Sequence, residues 1–129
     1  MSLRVIWLDE GGVEGTPCFV AFPGVGDIGI LTAELLEQLV PSKTVALVLD
    51  PSLPPLAQLD ENGVLQPPHH RLVRLETASG SAHVLIGAGQ SGLPHLQHAT
   101  ALGLLEAMNG AKEVGGLAGF RAPAEDRRT

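Results

Sequence analysis

The 129-residue chain has one cysteine, no tyrosine, and aromatic residues at only 3%. A lone Cys18 excludes an internal disulfide and points to a reducing compartment. Its place in a strand-like apolar run marks a buried, inert thiol rather than a nucleophile. Basic residues are also scarce, 8 Lys and Arg against 14 Asp and Glu, for a formal net charge of -6. They are scattered apart from Arg127-Arg128, whereas nonspecific nucleic-acid binding needs clustered positive charge. No segment approaches the ~20 continuous apolar residues of a membrane helix. Asp9, Glu10 and Gly11 interrupt any early apolar run, so no signal peptide is expected. These shortages predict a cytoplasmic protein with no nucleic-acid or membrane partner. Charged residues reach only 17%, and so sparse a surface suggests apolar area covered by another subunit.

What is present is enough for a core. Apolar residues make up 44%, and the length suits one domain, here 1–121 followed by a polar tail, 122–129. Strands are expected at Arg4 to Leu8 and Cys18 to Phe22, with Asp9-Glu10-Gly11-Gly12 as a turn that allows an opening hairpin. Ile28, Leu31, Leu35, Leu36 and Leu39 recur at helical spacing until Pro41 stops the helix. Thr44 to Leu49 is apolar nearly throughout, as in a strand covered on both faces. Asn62-Gly63 signals a hairpin. Arg71 to Glu76 and Ala82 to Ile86 read as a hairpin or neighbouring strands. Pro94 suits the first position of a helix placing Leu96, Ala99, Leu102 and Leu105 on one face, and Lys112 to Leu117 makes a last strand. The order predicts an α/β three-layer sandwich with a mixed, partly parallel sheet. Its glycine loops would lie at carboxyl ends of strands, where α/β ligand sites gather.

The first loop, Phe22-Pro23-Gly24-Val25-Gly26-Asp27-Ile28-Gly29, has the G-x-G-x-x-G spacing at Gly24, Gly26 and Gly29. One reading is a dinucleotide fingerprint, with backbone N–H groups cradling a pyrophosphate and Asp50 taking a ribose hydroxyl. Against it, Asp27 would point a carboxylate at the phosphate, and the segment after Asp50 is proline-rich. The other reading is structural: a tight turn and close helix–strand contact, with Asp27 as helix N-cap. The second loop, Gly87-Ala88-Gly89-Gln90-Ser91-Gly92, lacks the nucleophile-elbow pattern because Leu93 stands where the second glycine belongs. Ser91 then reads as an N-cap or turn serine. His83 lies in a strand without an oriented partner in sequence. His95 and His98 share a helix face, with His69, His70 and Asp50 elsewhere, but no H-E-x-x-H or cysteine pair accompanies them. No catalytic residue, metal site or cofactor is assigned.

Taken together, several segments resemble the PAC2 (proteasome assembly chaperone 2) family. They are Phe22 to Gly29, Asp50-Pro51-Ser52-Leu53-Pro54-Pro55, Asn62 to Pro68, Gly87 with Gln90, and a late strand from Lys112 into Leu117-Ala118-Gly119-Phe120. The resemblance implies a phosphorylase/hydrolase-like α/β fold and self-association. It also implies a non-enzymatic role as a protein-binding, assembly-chaperone-type protein. Two departures stand out. The chain stops soon after Phe120, as a compact or truncated member would. It also ends Asp126-Arg127-Arg128-Thr129, where a docking tail of the hydrophobic-Tyr-any type would need a tyrosine. The loops expected to contact a ligand or partner carry Pro23, Gly24, Gly26, Asp27, Gly29, Asp50, Pro54, Gly87, Gln90 and Ser91. The alternative is a nucleotide- or small-phosphate-binding enzyme using Gly24 to Gly29.

Overall fold

The computed structural model describes residues 3–53, 58–59, 62–66, 68–89 and 94–119. Strands β1 (Arg4–Trp7) and β2 (Pro17–Ala21) come first. A 3-10 turn (Val25–Asp27) then leads into α1 (Ile28–Leu39). Next are β3 (Ser42–Leu49), the short β4 (Gln58–Leu59) and β5 (Leu65–Gln66), β6 (His69–Thr77) and β7 (Gly80–Ile86). Helix α2 (Pro94–Ala107) and β8 (Glu113–Leu117) complete the described chain. Six strands form one sheet in the order β1-β3-β6-β7-β2-β8, and β4 pairs with β5 separately. Strand β2 runs parallel to both β7 and β8, while the other pairs are antiparallel. The sheet is therefore mixed and partly parallel. Strands β2, β3, β7 and β8 all deliver their carboxyl ends to one side.

Strand alternation sorts the core into two faces. On one, Cys18, Ala46, Val48, Leu72 and Leu85 pack with Leu104 and Met108 beneath α2. On the other, Ala21, Val73, Leu75, Val84 and Ile86 pack with Ala33 of α1. Neighbours such as Leu72 and Val73 serve opposite layers, which is why these strands are apolar at nearly every position.

The opening hairpin does not form. Strand β1 pairs with β3 at one edge, while β2 lies between β7 and β8 near the other. The intervening segment is too long for a tight turn. It is tied across the sheet by Asp9, which accepts from Arg74 at 2.9 Å and Lys43 at 3.3 Å. The β6–β7 and β4–β5 hairpins do form.

Both helices occur near their predicted bounds, but most of each leucine stripe does not face the sheet. Ile28, Leu31, Leu35 and Leu39 of α1 are exposed, as are Leu102 and Leu105 of α2. Of the predicted α1 stripe, Leu36 packs on the sheet with Ile30, Val40 and the buried Gly29 and Ala33, while α2 turns Thr100 and Leu104 inward. A Cβ on Gly29 would overlap the carbonyl of Leu117, so only glycine lets α1 approach β8 this closely. Val40 takes an extended conformation (φ -128°, ψ 156°), as the residue before Pro41 must, and α1 ends there.

Candidate functional site

At the carboxyl end of the sheet, the three loops singled out in the sequence converge. The Phe22 ring leaves β2 and lies where a Cβ on Gly87 would stand. The same ring meets the His70 imidazole edge-on, with centroids 5.4 Å apart and planes at 65°. The Gly87 N–H donates to the Ala21 carbonyl at 2.7 Å, extending the β2–β7 ladder into the loop. The Leu53 side chain, beyond Asp50, lies beside Gly89.

Beneath these loops sits a buried polar cluster. Asp50 is 4% exposed and His70 is fully buried. Asp50 Oδ1 accepts from the Ser52 backbone N–H at 2.9 Å and the Ser52 hydroxyl at 2.6 Å. Its Oδ2 accepts from Thr100 at 3.1 Å and faces His70 Nε2 at 2.9 Å. On the other side of the ring, His70 Nδ1 accepts the Ala88 backbone N–H at 3.1 Å. That contact assigns the tautomer: Nδ1 is the acceptor, so Nε2 carries the proton and donates it to Asp50. Burial pushes the His70 pKa below the ordinary imidazole value, outweighing the pull of Asp50. Burial alone would raise Asp50, but hydrogen bonds from Ser52, His70 and Thr100 overcome it and hold the carboxyl below its usual range. The pair is thus a neutral imidazole and a carboxylate, each fully engaged.

The arrangement superficially matches the Asp–His half of a catalytic triad, but its free end is closed. A general base needs an unoccupied basic nitrogen within reach of a substrate proton. Here a backbone amide holds that nitrogen. The cluster instead ties the ends of β3, β6 and β7 to α2, fixing the loops above. Sequence reasoning named Asp50 but missed the use of His70. Alternation along β6 places His70 on the same face as buried Leu72, and that signal was available.

The first glycine loop is also closed on itself. The Asp27 N–H donates to the Gly24 carbonyl at 3.0 Å, and the Asp27 carboxylate reaches back to the Gly24 N–H at 3.4 Å. Asp27 stands at the expected N-cap position of α1, but it adopts a left-handed conformation (φ 52°) and its side chain makes no capping hydrogen bond to the helix. Pro23, Gly24, Gly26 and Asp27 therefore lie in one tight turn, and Gly29, in the first turn of α1, packs against Leu117 of β8. Pro54, Gln90 and Ser91 lie outside the described residues.

Beside Phe22 a cleft of about 260 Å³ opens between β2 and α2, walled mainly by Val20, Phe22, Ala101, Leu104, Leu105 and Met108. His83 lies farther down the same sheet face. Thr16 gives its hydroxyl proton to the Val13 carbonyl at 2.7 Å, so it accepts from His83 Nδ1 at 2.8 Å. His83 Nε2 is buried without a hydrogen-bond partner among the described residues. His95 and His98 are exposed on α2. Among the described residues, no group of three or more His, Cys, Asp or Glu side chains is placed to hold a metal ion. None of their helices is long and apolar enough to cross a membrane.

This architecture has solved counterparts. It superposes on Pyrococcus furiosus PbaB, an archaeal proteasome activator, with a TM-score of 0.72 at 16% identity, over 89% of this chain and 50% of that one. The chain has a PAC2-like fold. A protein of unknown function from Corynebacterium glutamicum ATCC 13032 also matches, with a TM-score of 0.60 at 14% identity over 89% of this chain and 48% of that one. The chain thus spans about half the length of both structures. No family model matches the sequence, and no curated protein matches it. At these identities the shared property is the fold.

Proposed function

We propose that this chain is a PAC2-type, non-enzymatic protein of the cytoplasm that binds other proteins in an assembly-chaperone-like role and self-associates. The observation that carries the proposal is the closed Asp50–His70 pair. Among the described residues, the constellation that most resembles catalytic machinery has its imidazole nitrogens and carboxylate oxygens engaged in holding the loops. The exposed leucines of both helices supply apolar surface suited to protein contacts. The likeness to PbaB, an archaeal proteasome activator, supports a proteasome-related partner. Among the described residues no polar site competes with this role: Asp50 is too buried to take a ribose hydroxyl, and the Asp27 carboxylate occupies the loop where a phosphate would sit.

The test is sedimentation of the purified protein with purified α-type proteasome subunits. A faster-sedimenting complex, absent from either component alone, is expected. Unchanged independent boundaries at tens of micromolar would overturn the proteasome-related role.

A further inference from the structure

We infer that the flank of the molecule formed by β8 and the outer stripe of α1 is a two-fold interface with a second copy of this chain, joined by antiparallel pairing of β8 with itself. The inference deepens the self-association proposed above and rests on it.

Two independent features meet on this flank. The first is the helix stripe. Ile28, Leu31, Leu35 and Leu39 are 49%, 58%, 53% and 70% exposed. At ~100° per residue they line one side of α1. Glu37 lies on the opposite side, where it pairs with Arg71 of β6 at 2.8 Å. Ile28 fixes the direction of the stripe: a Cβ on Gly119, just past β8, would come within 2.5 Å of its Cδ1. The stripe therefore runs from the outer face of α1, at Leu31, round towards the β8 side, where Ile28 and Leu39 lie nearest.

The second feature is the strand itself. Among the described residues, β8 pairs with β2 on one side and is the outermost strand on the other. Exposed edges are ordinarily blunted by lysine, proline or a bulge. β8 is charged only at its start, where Glu113 follows Lys112; Val114-Gly115-Gly116-Leu117 carries no charge, proline or bulge, and its pairing to β2 is regular. Val114 is itself 46% exposed.

Charge selects the occupant and the direction. A chain of net charge -6 repels its own copies, so close approach requires a face with few acidic groups. The stripe carries none, and Glu34 lies roughly a third of a turn away around the helix. An apolar, uncharged strip is complementary to itself, as an isologous contact demands. Parallel pairing in register would set Glu113 against its equivalent. Antiparallel pairing centred on Gly115 sets Glu113 against Leu117 and separates the two carboxylates by about four residues, or ~13 Å along the strand. That exceeds the screening distance of ~8 Å at physiological salt. A two-fold axis perpendicular to the sheet keeps both α1 helices on one face, so their stripes meet beside the new strand pair. A single helix stripe is small against the ~800 Å² per partner of a stable interface, and the adjoining strand edge supplies the remainder.

The test combines two sets of variants of the full chain. Leu31→Lys/Leu35→Lys places charge on the stripe without touching the core, and its helical circular dichroism and melting temperature report folding. Sedimentation velocity should show a wild-type dimer and a folded variant whose dissociation constant rises about 100-fold or more. A folded variant that dimerises like the wild type overturns this interface while leaving self-association standing. A wild-type protein that stays monomeric at hundreds of micromolar overturns both. If the lysine variant unfolds, strand pairing decides through Val114→Cys and Gly116→Cys, which lie on the β8 face that pairs with Cys18 and Val20. A Cβ on Gly116 meets open space. Under mild oxidation a mixture of the two variants should form a disulfide-linked dimer, and neither alone should do so efficiently. Linkage in the single variants only, or in none, overturns the antiparallel pairing.

Discussion

His70 Nδ1 accepts the backbone N–H of Ala88 while the opposite nitrogen of the ring faces the buried carboxylate of Asp50. One side chain therefore connects the second glycine loop to the end of β3. Removing it strands Asp50 without its ring partner and leaves a ring-sized void. Losing one partner of a buried pair typically costs about 3–5 kcal/mol. His70→Ala is expected to lose stability in that range in urea denaturation. The Ala88 amide, held by His70 in the wild type, is expected to exchange slowly there and much faster in a variant kept folded at low temperature. Wild-type stability and protection in His70→Ala would show that the cluster does not hold the loop.

The two buried histidines make stability depend on pH. Burial holds both His70 and His83 below the ordinary imidazole value, with the Arg74 charge adding to the effect at His83. Both are neutral when folded and gain protons more readily when unfolded. Their contribution is present at neutral pH and is lost as pH falls below about 6.5, the unfolded value, towards the lower folded values. Each histidine gives a slope of up to about 1.4 kcal/mol per pH unit in that window. Asp50, held below its ordinary value, adds a further loss only at pH below about 3.9. Denaturant midpoints between pH 7.5 and 5 should fall, and fall less steeply in His83→Gln. A flat profile over this window would contradict the neutral, buried state of both rings.

Gly87 and Phe22 form a tight contact that leaves no space for a Cβ. Gly87→Ala should destabilise by about 1–3 kcal/mol through overpacking. Phe22→Leu, with its smaller, flexible side chain, should relieve part of that cost. The double variant is then more stable than the sum of the single effects implies, a coupling of about 0.5 kcal/mol or more in a double-mutant cycle. Additive single effects would mean that the ring can move aside freely.

The glycine loops at the carboxyl ends of β2 and β7 were legible because Gly and Pro punctuate apolar strands sharply. The β6–β7 hairpin was legible for the same reason, through Ser79-Gly80. The partner of β1 was not, because a pairing between Trp7 and Ala46 leaves no local signal. The helix stripes misled for a specific reason. Leu31 and Leu35 are large periodic residues of α1, yet the sheet takes Leu36 with Gly29 and Ala33, whose small size permits close approach. Hydrophobic periodicity finds a helix and marks an apolar face, but α1 has two such faces, one for the sheet and one left exposed. His70 was hidden by chemistry rather than pattern. A histidine on a buried strand position is compatible with a metal site, a catalytic base or a hydrogen-bonded clamp. Only the positions of Asp50 and Ala88 separate these.

Gly26 separates the protein-binding role from nucleotide binding. Its backbone is left-handed (φ 61°), so Gly26→Val strains the turn by about 1–2 kcal/mol. The loop amide of Gly24 already faces the Asp27 carboxylate, and an added phosphate would meet that negative charge. Nucleotides, dinucleotides and inorganic phosphate should therefore leave the melting temperature of the wild type unchanged, while Gly26→Val lowers it by several degrees with or without them. A ligand at ~100 times its dissociation constant stabilises by about 2.7 kcal/mol, which a melting curve resolves as several degrees. A nucleotide-dependent rise in the wild type that disappears in a folded Gly26→Val protein would transfer the function to this loop. Because Asp50 is buried and both its carboxylate oxygens are engaged by Ser52, His70 and Thr100, the ribose would then need a partner other than Asp50.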